Sequence, residues 1–226
     1  MSYADFLHCM TPYNNHEYKN TAEEYLKENK PSILEFADCD QSGTVDFSEF
    51  YFFMSIMQIP QGTLRKEFKK ANKKGVWTKD DLKKRLPDLM LKSASGSKIQ
   101  EKTSVDARAV KVTKEDLLSD IAATSERIFA GKDEINFEDF IKMRQSLRDQ
   151  LLHYEFHNFE PEDGTISLEQ WLYSLIKSVR GSRRDKCRKQ IKKIVAQFPD
   201  ARVSYNEFVS FNYWLNELNW LRAQIE

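Results

Sequence analysis

Twelve residues, Asp38 to Glu49 (DCDQSGTVDFSE), spell a complete calcium-binding loop, and no other stretch of the chain does. Asp38, Asp40 and Ser42 stand at loop positions 1, 3 and 5, Gly43 at 6, the Thr44 carbonyl at 7, Asp46 at 9 and Glu49 at 12, which is the EF-hand order. Calcium is a hard cation that takes six to eight oxygens, so alternate short side chains must converge while the backbone wraps around the ion. Gly43 supplies the sharp turn, and Glu49 can close the shell with both carboxylate oxygens. Such a loop constrains its surroundings, because it has to be held between two helices.

The flanks meet that requirement. Ile33, Leu34, Phe36 and Ala37 lead in with helical apolar spacing, and Phe50, Tyr51, Phe53, Met54 and Met57 lead out at offsets of three and four. Val45, at position 8, is placed to form a short strand toward a partner loop. Phe52, Phe53, Met54 and Met57 can line a groove that opens when calcium binds, as in sensor hands, or simply pack against a partner unit.

A chain of 226 residues with 40% hydrophobic and 12% aromatic content can bury one large core or two smaller ones. Its 35 basic and 35 acidic residues cancel, which argues against a nucleic-acid partner and against a polyacidic calcium buffer. Cys9, Cys39 and Cys187 are odd in number and lack pair spacing, so neither a disulfide framework nor a zinc ribbon is expected, and a reducing interior fits. No apolar run approaches the roughly 18 residues of a membrane span. Met1 to Met10 lacks the basic start and apolar stretch of a leader, so the protein is untargeted or its leader is not included.

Glycine and proline are scarce, at seven and six, and helical periodicity broken by short turns runs through most of the chain. The expected fold is all-α, a two-lobed array of EF-hand helix-loop-helix units with short loop-to-loop β pairs and most hands degenerate. Ser93 to Val112 (SASGSKIQEKTSVDARAVKV) is polar and small-residue rich and reads as a linker. Residues 1–92 then form a first lobe holding the competent loop and a degenerate partner at about 71–81, and 113–226 form a second lobe with degenerate loops 128–139, 159–170 and 196–207.

Aligning the repeats on the apolar residue at position 8 and the aromatic at 13 shows how the liganding chemistry decays. The loop 128–139 keeps Ile135 and Asp139 but has Ile128, Ala130 and Lys132 at positions 1, 3 and 5. The loop 159–170 keeps Asp163, Gly164 and Ile166, yet has Phe159 at 1, Pro161 at 3 and Gln170 at 12. The loop 196–207 keeps Val203 and Glu207 but starts Ala196, Phe198 and Asp200 at 1, 3 and 5. In Phe68 to Leu82 a shortened partner is expected, with Val76 as its strand residue and Lys73 and Lys74 where acids would be needed. One calcium ion at one site follows, held by Asp38, Asp40, Ser42, Thr44, Asp46 and Glu49.

The order of segments resembles the mitochondrial calcium uptake regulator (MICU) family, which gates the calcium uniporter. Four stretches carry the resemblance: Tyr3 to Pro12 (YADFLHCMTP), Gly43 to Pro60 (GTVDFSEFYFFMSIMQIP), Gln150 to Trp171 (QLLHYEFHNFEPEDGTISLEQW) and Lys186 to Phe208. The resemblance implies a calcium-responsive or calcium-stabilised mitochondrial protein, peripheral to the inner membrane, that works through contacts with other subunits. The pattern also departs from the family. The competent loop comes first in its pair rather than second, and Phe208 is followed by one helix and no further hand. The family's arginine-rich channel contact has no counterpart either, so gatekeeping is not carried over. A cytoplasmic location is the alternative.

Smaller features have competing readings. His153 and His157 lie four apart and can share a helix face as zinc ligands, but no further Cys, His or acidic ligand forms a pattern with them. Lys177 to Lys193 holds nine basic residues against Asp185 alone. Arg183, Arg184, Arg188 and Lys189 can therefore dock on an anionic membrane, or form a solvated helix face. The closing helix, with Phe211, Tyr213, Trp214, Leu215, Leu218, Trp220 and Leu221, is too aromatic to lie wholly in water, and core packing is favoured over a partner interface. No phosphate-cradling glycine loop, nucleophile with a spaced base or carboxylate pair outside the calcium loop emerges, so an enzyme is not expected. Two functions stay open: a calcium-dependent regulator, and a structural accessory subunit of a large inner-membrane complex, respiratory chain or ATP synthase, with calcium as its staple.

Overall fold

Helix starts in this chain are set by a recurring exchange between loop position 9 and position 12. Asp46 accepts from the Glu49 amide at 2.8 Å while Glu49 Oε2 accepts from the Asp46 amide at 2.9 Å. Thr78 and Asp81 repeat the exchange at 3.2 Å in each direction, as do Ser167 and Gln170 and Ser204 and Glu207. Each pair satisfies two backbone donors that a helix N-terminus leaves without partners.

The structure is a computed structural model that describes residues 1–11, 19–29, 31–71, 74–91, 114–176, 179 and 181–225. The expected linker 93–112 lies outside them, as do Lys177 and the side chains of Leu218, Trp220 and Leu221. The described elements are α1 (Tyr3–Met10), α2 (Lys19–Glu28), α3 (Ser32–Ala37), α4 (Phe47–Gln58), α5 (Gln61–Ala71), β1 (Val76–Thr78), α6 (Lys79–Leu91), α7 (Lys114–Phe129), β2 (Glu134–Asn136), α8 (Phe137–His157), β3 (Thr165–Ser167), α9 (Leu168–Leu175), α10 (Ser182–Gln197), β4 (Arg202–Ser204) and α11 (Tyr205–Ile225). The fold is mostly helical, with two small antiparallel strand pairs, β1–β2 and β3–β4. None of the described helices is long and apolar enough to cross a membrane.

The chain divides into two compact units, Met1–Phe6 with Lys30–Arg148 and Leu7–Asn29 with Asp149–Glu226. In the first, β1 pairs with β2 in the register Val76↔Asn136, Trp77↔Ile135 and Thr78↔Glu134. This corrects the expected pairing of the loop near 71–81 with the loop 38–49: its partner is the loop 128–139, which the sequence had assigned to the second lobe. The strand centre is Trp77, not Val76. With Trp77 at position 8, Gly75 falls at 6 with φ +66° and Asp81 at 12, so the loop is full length rather than shortened. Lys70 and Lys74 then hold positions 1 and 5.

Trp77 and Ile135 are both buried, and Trp77 stacks on Phe68 with ring centroids 3.9 Å apart and planes 7° from parallel. Phe140 meets both rings edge-on. Around the competent loop, Phe52 and Phe53 are wholly buried: Phe52 stacks on Phe36 at 6.1 Å, and Phe53 meets Phe6 edge-on at 5.2 Å. The groove expected from Phe52, Phe53, Met54 and Met57 is therefore closed, its two aromatic members forming core. The Arg144 guanidinium donates to the Met57 and Ile59 carbonyls at 2.6 and 2.8 Å, neutralising carbonyls at the end of α4. Burial lowers its pKa to about 10, so it stays charged at neutral pH.

In the second unit β3 pairs with β4 through Thr165↔Ser204, Ile166↔Val203 and Ser167↔Arg202. Leu152, Phe156, Phe159, Ile166, Val203 and Phe208 form the core, with Trp171, Tyr205, Val209 and Tyr213 packed against it. The closing helix thus contributes Phe208 and Tyr213 inward, while Trp214 turns out to water at 53% exposure. On α10 only Ile191 is buried, and Arg183, Arg188 and Lys189 are exposed while Arg184 is partly covered.

Candidate metal centre

The loop 38–49 begins where α3 stops and ends inside the first turn of α4. Two residues adopt left-handed backbone conformations, Gln41 at φ +60° and Gly43 at φ +86°. Gly43 has open space around the position a Cβ would take, so its requirement is conformational rather than steric. The turn aims backbone amides at the acidic side chains. Asp38 Oδ1 accepts from the Ser42 amide at 3.0 Å, Asp38 Oδ2 from the Gly43 amide at 2.9 Å, and Asp40 Oδ1 from the Ser42 amide at 3.0 Å. Glu49 reaches back across the loop, where its Oε1 accepts from the Cys39 amide at 2.7 Å and from Asp40 at 3.3 Å.

One carboxylate oxygen each from Asp38, Asp40 and Glu49 lies within 4.8 Å of the others. Ligands at opposite sides of a calcium ion are about 5 Å apart, twice a Ca–O bond of roughly 2.3–2.6 Å, so this cluster matches the span of one ion. Ser42 Oγ donates to the Thr44 carbonyl at 3.1 Å, which sets the oxygens of positions 5 and 7 side by side. Asp46 is used differently, its Oδ1 capping α4, and it stands outside the cluster of three. Among the described residues no other group of three metal-ligating side chains comes together.

Burial decides the electrostatics. Asp38 and Glu49 are 1% and 3% exposed. Burial pushes the Asp38 pKa up, but donors from Tyr3, Gly43 and Ser42 outweigh it and hold the carboxyl below its ordinary value. Glu49 moves the other way: burial raises it despite the amides of Asp46, Asp40 and Cys39. Buried carboxylates crowded together stay costly until a cation neutralises them. A divalent ion satisfies both the charge and the spare lone pairs.

In the loops 128–139, 159–170 and 196–207 the side chain at position 12 is satisfied within the protein. At 128–139 the position-5 lysine reaches position 12, with Lys132 Nζ 2.7 Å from Asp139 Oδ2, and this contact lowers the Asp139 pKa. At 196–207, Glu207 Oε2 accepts from the Ser204 amide and hydroxyl at 2.8 and 2.7 Å, and those bonds lower its pKa. At 159–170 Gln170 does the same capping as a neutral side chain. His153 accepts or donates at Nδ1 to the Tyr25 hydroxyl at 3.0 Å, and His157 lies 5.0 Å from the Tyr25 ring, so the pair is set in an aromatic cluster.

Sequence reasoning missed one residue that touches the centre. The Tyr3 hydroxyl donates to Asp38 Oδ2 at 2.5 Å, and that bond raises the Tyr3 pKa to about 12. The two are 35 residues apart, so no spacing rule connects them.

No protein-family model matches the chain. The chain is 23% identical over 192 residues to calcium uptake protein 1, mitochondrial, of Ailuropoda melanoleuca, an alignment covering 81% of this chain. It spans only 38% of that relative's length. What the comparison establishes is a distant relationship to that calcium uptake protein.

Proposed function

We propose that this is a calcium-binding EF-hand protein with one ion site, formed by Asp38, Asp40, Ser42, Thr44 and Glu49, with Asp46 reaching the ion through water. The observation that carries the reading is the convergence of Asp38, Asp40 and Glu49 on a glycine-turned loop between two helices. The distant relative is named for mitochondrial calcium uptake, which supports a MICU-like regulatory or scaffold role, mitochondrial and peripheral to the inner membrane. In this reading the protein acts through contacts with other subunits, and not as an enzyme.

A second reading makes the ion structural, in an accessory subunit of a large inner-membrane complex. It is favoured by how firmly the helices flanking the loop are tied. Ser48 Oγ on α4 donates to Asp120 Oδ2 on α7 at 2.7 Å, Arg127 of α7 binds the Glu35 carbonyl on α3, and Phe52 and Phe53 are core. Titrating calcium into the full chain should give one ion per molecule by calorimetry. A regulator will half-fill at signalling concentrations and change its tryptophan emission; a staple will be full below them and unfold locally when a chelator strips it. Binding of no calcium at all would remove both readings.

The basic helix α10 offers a separate contact. Exposed Arg183, Arg188 and Lys189 should draw the protein to vesicles containing phosphatidylserine, each basic residue near such a surface contributing about 1 kcal/mol. Replacing Arg183, Arg184, Arg188 and Lys189 by Gln should then weaken vesicle binding by at least about 10-fold. Equal co-sedimentation of parent and variant would dismiss the membrane contact.

A further inference from the structure

The loop units pair through position 8, Trp77 with Ile135 and Ile166 with Val203. At the competent loop that place is taken by something other than a loop. The Val45 amide donates to the Met1 carbonyl at 2.9 Å, and the Val45 carbonyl accepts from the Met1 nitrogen at 2.5 Å. Two residues on, Tyr3 donates its hydroxyl to Asp38. Phe6 then enters the core wholly buried, edge-on to Phe53 at 5.2 Å and to Phe50 at 6.4 Å. One segment of six residues therefore touches position 8, position 1 and the helix that leaves position 12.

We propose, building on the calcium reading, that Met1–Phe6 is a strap whose seating on the loop is coupled to ion occupancy, with Tyr3 the positioning residue that holds Asp38 in its liganding orientation. A carboxylate at position 1 can turn about its side-chain torsions, and each oxygen must point at the ion or at a donor. The Tyr3 hydroxyl and the Gly43 amide fix Oδ2, which leaves the other oxygen's orientation settled as well. Donors one step behind a metal ligand typically change affinity by about 10- to 100-fold when removed. Coupling of this kind is reciprocal: if the strap strengthens the ion, the ion strengthens the strap.

The test uses the full chain and CaCl2. Tyr3→Phe keeps the ring and removes the hydroxyl, so helical content and cooperative unfolding in chelator should match the parent. By calorimetry its calcium dissociation constant should rise about 10-fold. In hydrogen exchange, calcium should slow the Val45 amide of the parent about 10-fold and leave that amide in Tyr3→Phe within roughly twofold, because ion and strap are no longer linked. A purely structural Tyr3 would not alter that calcium-dependent difference. Unchanged or tighter calcium binding by Tyr3→Phe, or equal protection of Val45 with and without calcium in the parent, overturns the strap. A parent that binds no calcium overturns the calcium reading itself.

Discussion

Glu49→Gln should lower calcium affinity by about 100-fold while leaving the fold in place. The loss follows from removing one of the charged ligands and the bidentate closure at position 12, since ligand charge is a principal control of affinity in these loops. The retained fold follows from a comparison within the molecule. Gln170 occupies position 12 of the loop 159–170 and completes a capping box with Ser167, so an amide at this position can still start a helix. Glu49 already serves as the N3 residue for α4, accepting from the Asp46 amide at 2.9 Å, and a glutamine oxygen can take over that acceptor. The glutamine nitrogen then faces the Cys39 amide, from which Glu49 Oε1 accepts at 2.7 Å, so a stability loss of about 1–3 kcal/mol accompanies the loss of affinity without abolishing the fold. Calorimetric titration alongside circular dichroism reads the two effects independently, and calcium affinity equal to the parent's would place the ion elsewhere.

Trp77→Ala carries the largest expected cost in stability, about 3–5 kcal/mol, the usual range for truncating a buried tryptophan. Trp77 is fully buried, stacks on Phe68 at 3.9 Å, faces Phe140 and lies opposite Ile135 in the β1–β2 pair. Removing the indole leaves a cavity at the join between two loop units that are far apart in sequence, so partial collapse cannot fill it cheaply. Trp77→Phe should lose distinctly less, because a ring still stacks on Phe68. Urea unfolding followed by far-ultraviolet circular dichroism measures both. A cost under about 1 kcal/mol for Trp77→Ala would mean that this pairing does not hold the first unit together.

Much of the loop 38–49 was legible because its chemistry is local. Asp38, Asp40 and Glu49 come together through a turn that Gly43 permits, all within twelve residues, and the apolar spacing on either side made α3 and α4. Ile135, Ile166 and Val203, expected as strand residues of 128–139, 159–170 and 196–207, lie at the centres of β2, β3 and β4. Asp46 shows the limit of local reading. Its spacing suits position 9 of a shell, but it is equally the first residue to cap α4, and the helix uses that capacity. The loop near 71–81 was misaligned by one residue because Val76 and Trp77 both suit a strand. Only the register with Ile135 shows that Trp77 points inward.

The amino-acid sequence by itself determined a mostly helical chain and the turn that gathers Asp38, Asp40 and Glu49, since acidic spacing, glycine turns and helix caps all act over a few residues. Which loops pair, and what covers the competent one, was decided by the tertiary structure. Position 8 of any loop offers the same backbone donor and acceptor, so the sequence alone does not choose between partners. Burial does. Trp77 completes its packing only beside Ile135, Phe68 and Phe140, and Val45 is left to Met1, with Tyr3 brought onto Asp38 as a result.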